Sequence, residues 1–309
     1  MPRALLALSL LLVAACESAP LEPAALPLAA RLADPVSASL AASAPTFSFT
    51  TIAVPGATST TAWGINPRGD IVGSYVLGGV SHGFLLSDGS FTTIDVPGAA
   101  STDTRGIGPN GEVVGTYRMP GEAAVTFHGY RRSVSGEFLP ADYPGYNEIP
   151  ARLLPDGTIL GCRHANDLMA TMRGISMSRE GNTELDVFAS MNNGATPDRH
   201  RIVGLYTNMD VTPARQEGYV IDDGVFTPFL VPGGDMTAAW DINPAGEIVG
   251  VYHDAAGFHG FVLTGDQYLP VNFPGAAATR VFGINPRGDL VGTYVVNGRT
   301  FGFVAHQDK

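Results

Sequence analysis

The stretch Gly64-Ile65-Asn66-Pro67-Arg68-Gly69-Asp70-Ile71-Val72-Gly73-Ser74-Tyr75-Val76 decides how this chain folds. Its first half has turn chemistry. Proline presets φ at the second position of a β-turn, glycine at the fourth tolerates positive φ, and an asparagine side chain bonds back to the turn backbone. A turn of this kind joins two antiparallel strands. The second half, from Ile71, is β-branched and aromatic with no polar face, which predicts a strand buried on both sides. Gly73 interrupts it, and glycine inside a strand marks close approach by another part of the chain. The stretch recurs as Gly283-Ile284-Asn285-Pro286-Arg287-Gly288-Asp289-Leu290-Val291-Gly292, and again as Ile242-Asn243-Pro244-Ala245-Gly246-Glu247-Ile248-Val249-Gly250.

Looser copies fill the intervals. The Val-Gly glycine or its equivalent stands at Gly73, Gly115, Gly161, Gly204, Gly250 and Gly292, in steps of 42, 46, 43, 46 and 42 residues. Other features keep the same phase. A glycine followed by an aromatic or aliphatic residue opens the next strand, as in Gly83-Phe84, Gly129-Tyr130 and Gly260-Phe261. A polar turn follows, and an outer strand ends in Pro-Gly in most repeats. A period in the forties with four strand-like segments per unit predicts an all-β chain, a six-bladed β-propeller. The two ends are out of phase. Residues 47–54 form an outer strand with no blade before it, and the last unit stops after its third strand. The N-terminal outer strand is therefore expected to complete the last blade and leave no open edge at the seam.

The 309 residues carry 38 glycines, 23 prolines and a formal net charge of −11. The acidic balance excludes a nucleic-acid partner, because phosphate binding needs a basic stripe. Residues 1–15 read as an export signal: Arg3, then an apolar run too short to span a bilayer as a helix. The run ends Val13-Ala14-Ala15-Cys16, which resembles a bacterial lipobox with Cys16 as the lipidated residue. Glu17 follows, and by resemblance to lipoprotein sorting this points to the outer membrane of a Gram-negative cell. Residues 16–46 carry Cys16 and an Ala/Pro-rich tether that would span roughly 30 Å as a flexible coil. Residues 47–309 are the propeller. Cys162 is the one other cysteine. It fills a strand position held elsewhere by small residues, and is expected to be buried rather than nucleophilic.

The Gly-Ile-Asn hairpin, the Val-Gly strand and the His-x-Phe strand (His82-Gly83-Phe84 and His259-Gly260-Phe261) together resemble the HAF-repeat family of bacterial extracellular proteins. The resemblance spans residues 47–309. Glycine stands where the family name has alanine, and repeats three and four lack the histidine and the Asn-Pro. It implies an exported repeat protein and brings no catalytic residues with it.

His82, His128 and His259 share a repeat position, so they spread around a ring instead of gathering on a metal. No metal site and no cofactor is expected, and no nucleophile motif or phosphate loop is present. Trp63 and Trp240 are also repeat-phased and expected in the core. Charges that break the repeat fall near the axis: Asp103, Arg105, Glu148, Arg152, Asp241 and Arg280. They predict a mixed-charge mouth that reads a polar ligand, a glycan or a peptide. The expected protein is a monomeric, membrane-anchored surface lipoprotein, a non-catalytic binding or scaffold module. The alternative is a six-bladed propeller enzyme, a hydrolase or lyase on sugars or lactones, with its site in the central channel.

Overall fold

The Asn-Pro turn closes as its chemistry predicts. In the computed structural model, which describes residues 39–40, 46–165 and 171–308, Asn66 Oδ1 accepts the N–H groups of Arg68, Gly69 and Asp70 at 2.9, 3.1 and 3.0 Å. Its Nδ2 donates to Asp70 at 2.8 Å. Asn285 and Asn243 repeat the pattern with Asp289 and Glu247. All three asparagines are buried, so the side chain, not water, satisfies the turn's donors. The export signal, Cys16 and most of the tether lie outside the described residues.

Each turn closes the inner hairpin of a four-stranded antiparallel blade. Blade one is Ser59–Ile65, Ile71–Leu77, Val80–Ser87 and Ser90–Ile94. Blade two is Ser101–Ile107, Val113–Arg118, His128–Arg132 and Phe138–Pro140; blade three is Asn147–Leu153, Ile159–His164, Arg173–Ser178 and Gly181–Glu184. Blade four is Met191–Ala195, Arg201–Asn208, Arg215–Asp222 and Val225–Phe229; blade five is Met236–Ile242, Ile248–Asp254, Gly257–Thr264 and Gln267–Val271. Blade six takes Ala278–Ile284, Leu290–Val296 and Arg299–Gln307 from the C-terminus and Phe47–Ile52 from the N-terminal side. The chain is a six-bladed β-propeller. Ser39–Leu40 adds a short parallel strand outside Gln267–Val271, so strand pairing reaches into the stretch read from sequence as a tether.

Between blades the packing follows the Gly-aromatic pairs. Phe84, Tyr130, Tyr219, Phe261 and Phe303 are each at most 1% exposed, and Ile175 takes the place in blade three. Burying one such side chain contributes roughly 1.5–3 kcal/mol.

The Val-Gly glycine has a steric cause. A Cβ on Gly73 would collide with the Thr61 carbonyl and the Phe84 ring. Gly115, Gly161, Gly204, Gly250 and Gly292 face the equivalent carbonyl of their own inner strands. Opposite each of these glycines the inner strand carries a β-bulge: Ala62 pairs with Gly73 and Gly64 with Val72, leaving Trp63 without a partner. The same shift occurs in the other five blades. A bulge re-aims one side chain, and here the six bulged residues converge on the axis: Trp63, Arg105, Ala151, Asn193, Trp240 and Phe282.

Closure at the seam is a packing matter as much as a hydrogen-bond matter. Ile52 is 3% exposed, and the Phe49 ring lies 5.1 Å from Phe273 and 5.4 Å from Phe303. Deleting Phe47–Ile52 removes both anchors and bares the edge of Arg299–Gln307. The expected loss is about 4 kcal/mol, a fall in melting temperature of about 10 °C for a domain this size. A thermal melt of the deletion variant that matches the intact protein would rule out a stabilising role for the strand.

Candidate ligand site in the central channel

Because strands alternate, the links from outer to next inner strand and from second to third strand emerge at one end of the channel, the upper mouth. The Asn-Pro turns close the lower end. Going down the inner strands from the mouth, the bulged residues form a floor. Trp63 and Phe282 have ring centroids 4.3 Å apart, Trp240 and Phe282 5.1 Å, and Trp63 and Trp240 5.6 Å. Arg105 lies over the Trp63 ring at 4.7 Å. Both tryptophans, expected in the core, are instead partly exposed on this floor.

Just beneath it, the residue after the bulge is glycine in four blades (Gly64, Gly106, Gly194 and Gly283) and charged in two, Arg152 and Asp241. Those two reach each other across the axis, Arg152 Nη2 to Asp241 Oδ2, at 3.1 Å. Arg152 also donates to the Phe282 carbonyl at 3.1 Å, and Asp241 accepts the backbone N–H of Ile242 and Ile284 at 3.0 and 3.1 Å. The glycines make room. A Cβ on Gly64 would lie 3.1 Å from the Arg152 guanidinium, and one on Gly194 would collide with Asp241. Burial pushes the Asp241 carboxyl up, while Arg152 and the two backbone N–H groups pull it back.

A cavity of about 10 Å³ remains among the six bulged side chains and Arg152, room for roughly one water molecule. The channel is therefore plugged here, and the part above the floor is reached from the upper mouth. Part of that mouth is filled. Ile149, Met191 and Ala238, on the inner strands of blades three to five, pack with Met172 and Phe127 from the second-to-third-strand loops. The open side lies over blades one, two and six, where Ser59, Thr61, Ser101, Asp103, Arg105 and Arg280 keep partial exposure.

The sequence-predicted residues divide accordingly. Asp103, Arg105 and Arg280 stand on the open side. Ser81 donates to Asp103 Oδ1 at 2.7 Å. Arg280 lies over the Phe258 ring at 4.1 Å. Neither arginine has a hydrogen bond or ion pair among the described residues, and partial burial lowers the pKa of each from the usual arginine value. Arg152 and Asp241 are not at the mouth: 8% and 5% exposed, they neutralise each other below the floor.

Glu148 is also misplaced by the sequence reading. Its strand position is held by Thr60, Thr102, Thr237 and Thr279 in four other blades, each accepting the N–H six residues back, from Val54, Val96, Val231 and Phe273. Glu148 serves the same link by accepting from Tyr143 N–H. It is 1% exposed, its Oε1 has no hydrogen-bond partner, and burial pushes its carboxyl up to about 8. It turns into the wall between blades two and three and is out of a ligand's reach.

The repeat-phased histidines brace the blades. Each lies against the tyrosine of its second strand, His82 on Tyr75, His128 on Tyr117 and His259 on Tyr252, at 5.2, 5.1 and 5.0 Å. Each binds an acidic or amide side chain, Asp95, Glu122 and Asn272 respectively. Among the described residues no three His, Cys, Asp or Glu side chains gather as a metal would require. Cys162 is fully buried, and its thiol is pushed up to about 12.

No family model matches the chain, and no curated protein matches it. Solved structures of similar shape include a streptogramin B lyase structure, 13% identical with a TM-score of 0.48, covering 85% of this chain and 98% of that one. A putative gluconolactonase is 14% identical with a TM-score of 0.49, covering 87% and 94%. Virginiamycin B lyase from Staphylococcus aureus is 13% identical with a TM-score of 0.47, covering 84% and 100%. At these identities and scores no residue of this chain inherits a role from them.

Proposed function

We propose that this protein is an exported surface lipoprotein, held to the outer membrane through Cys16, whose propeller binds a polar ligand at its upper mouth without transforming it. The observation that carries the binding role is the pair of unpartnered arginines, Arg105 and Arg280, on the open side of a channel plugged from below. A partly desolvated arginine held by no ion pair or hydrogen bond is costly to the fold, and rigid scaffolds keep such groups where a ligand completes them. Anchoring would keep that mouth at the cell surface, where glycans and peptides are met.

One preparation tests both halves. The full chain and its Cys16→Ser variant are expressed with labelled fatty acid, fractionated, and applied to glycan and peptide arrays. The expected result is label and membrane retention only with Cys16 present, and selective array binding by both forms. Label retained in the variant overturns the anchor; uniform failure to bind either array overturns the binding role.

A further inference from the structure

We infer that the cleft between blades five and six on the lower face binds a guanidinium carried on an apolar stem, the chemistry of an arginine side chain. This site is separate from the upper mouth, and its existence does not depend on the role proposed for the mouth.

The repeat supplies the template. In blade one Arg68 donates to its own Asp70 through Nε at 2.9 Å and to the Pro109 carbonyl of the next blade's turn at 2.9 Å. Arg287 of blade six does the same with Asp289 and the Pro67 carbonyl. Each guanidinium lies against the turn glycine of the next blade: a Cβ on Gly111 would stand 2.7 Å from Arg68, and one on Gly69 3.2 Å from Arg287. Gly157 and Gly246 meet Arg131 and Arg201 of the preceding blades in the same way, at 3.8 and 3.3 Å. Between blades three and four, Arg199 reaches Asp156 at 3.4 Å. An arginine therefore bridges each of these gaps on the lower face. The gap from blade five to blade six differs. Its turn reads Asn243-Pro244-Ala245-Gly246, with alanine in the place of Arg68 and Arg287. Beyond its chain neighbours, no described residue comes within 4 Å of a Cβ built on Gly288.

The carboxylate of that gap is correspondingly under-used. Asp70 is bonded by the side chains of Asn66, Arg68 and Ser87, and Asp289 by those of Asn285, Arg287 and His306. Glu247 accepts from Asn243 alone among the described side chains, at 2.6 Å through Oε2. Its Oε1 and the hydroxyl of Thr264, which stands where Ser87 and His306 stand, are left for a ligand. Both residues and Gly288 line a cleft of about 530 Å³, a volume typical of small-molecule sites. The other walls include Phe47, Val262, Leu269, Ile284 and Leu290, an apolar bed for a methylene stem. Glu247 and the Pro286 carbonyl are the counterparts of the two acceptors that Arg68 and Arg287 use. A planar guanidinium can donate to both at once, which a compact ammonium does less well. The formal charge of −11 draws a cation towards the surface.

Full-length protein is titrated in a calorimeter with two guanidinium probes, butylguanidinium and the peptide acetyl-Gly-Leu-Arg-Leu-Gly-amide. Each is paired with its neutral analogue of the same shape, butylurea and the citrulline peptide. The expected result is saturable binding of a guanidinium probe, with about 10-fold weaker binding of its neutral analogue, the discrimination of one charge-assisted contact. Binding of the peptide alone assigns the site to an arginine in a partner chain; binding of butylguanidinium as well admits a free guanidinium compound. Ala245→Arg should supply the missing guanidinium from within. It is expected to abolish probe binding and to raise the melting temperature by about 2 °C. Glu247→Gln keeps an oxygen for Asn243 and should weaken binding about 10-fold. Thermal melts confirm that both variants are folded. No saturable binding of either guanidinium probe, equal affinity for the neutral analogues, or undiminished binding by Ala245→Arg would each overturn the assignment.

Discussion

Arg152→Met is expected to destabilise the protein by about 3–5 kcal/mol at neutral pH, because it strands the Asp241 carboxylate under the channel floor. Arg152 is 8% and Asp241 5% exposed, and the Phe282 carbonyl also loses its guanidinium donor. The effect carries a pH signature. Without Arg152 to pull it back, Asp241 is left with the upward push of burial. Its folded-state pKa then stands well above the unfolded value, so the variant gains stability relative to wild type as pH falls and the carboxyl takes up its proton. Replacing both partners, Arg152→Met with Asp241→Leu, should recover most of the loss, since a well-packed apolar pair in place of a buried ion pair is often neutral or stabilising. Denaturant melts of the two single variants and the double variant at two pH values check the cycle. Single variants no less stable than the double would mean that the pair does not act as a unit. The structure thus reverses an expectation drawn from sequence: removing Arg152 damages the fold before it can say anything about ligand binding.

Glu148→Gln should flatten the protein's stability profile between about pH 4.5 and 8. The folded carboxyl holds its proton up to about 8, while an unfolded glutamate loses it near ~4.3. A pKa raised on folding contributes stability that is complete below the unfolded value and is lost as pH rises through the folded value. The sign is therefore a loss towards alkaline pH, with a ceiling of about 5 kcal/mol for such a shift and a practical size of a few kcal/mol. Glutamine keeps an oxygen for the Tyr143 N–H and does not ionise. The groups bearing on Glu148 are Asp142, whose charge pushes it further up, the buried Cys162 and the partly exposed Tyr143. Urea melts at pH 5, 7 and 9 should show wild type falling relative to the variant, and parallel curves would exclude Glu148 as the source.

Most of the architecture could be read from the residues, and the reason is mechanical. Asn-Pro-x-Gly has one economical conformation, and the Val-Gly glycine is forced by a carbonyl that collides with any Cβ. Six such units in phase leave little choice but a ring. The short pairing of Ser39–Leu40 with blade five carried no such mark, since two residues in an alanine-rich stretch show no alternation. The site was less legible. Asp103, Arg105 and Arg280 stand out in the sequence as charges near the axis, and the structure puts them at the open mouth. Arg152 and Asp241 stand out by the same rule and lie one residue past the bulge. In a strand a single step turns a side chain to the opposite face, and the repeat marks that step only once its glycine slot is aligned: Arg105 stands before Gly106, whereas Arg152 occupies the slot itself. For Glu148 a signal was present: threonine holds its slot in four blades, so its carboxyl belonged to the link behind it. The floor itself was hidden in plain repeat. Trp63, Trp240 and Phe282 sit directly before the conserved-looking glycine or its replacement, a place that means core in a regular strand and channel in a bulged one.

The seam in blade six also sets an order in time. Ser48 bonds to His306 across 258 residues of chain, so the first strand of the propeller to be made has no partner until the last has been made. Five blades can pair their own strands as they emerge, each from segments close in sequence. The sixth waits for synthesis of its C-terminal strands, with Phe47, Phe49 and Ile52 lacking until then the surface that buries them, and its closure spans the longest loop in the fold. Synthesis of a circular sheet array from a linear chain thus ends in a single late event. Until it occurs the ring has two free edges, each able to pair with another chain.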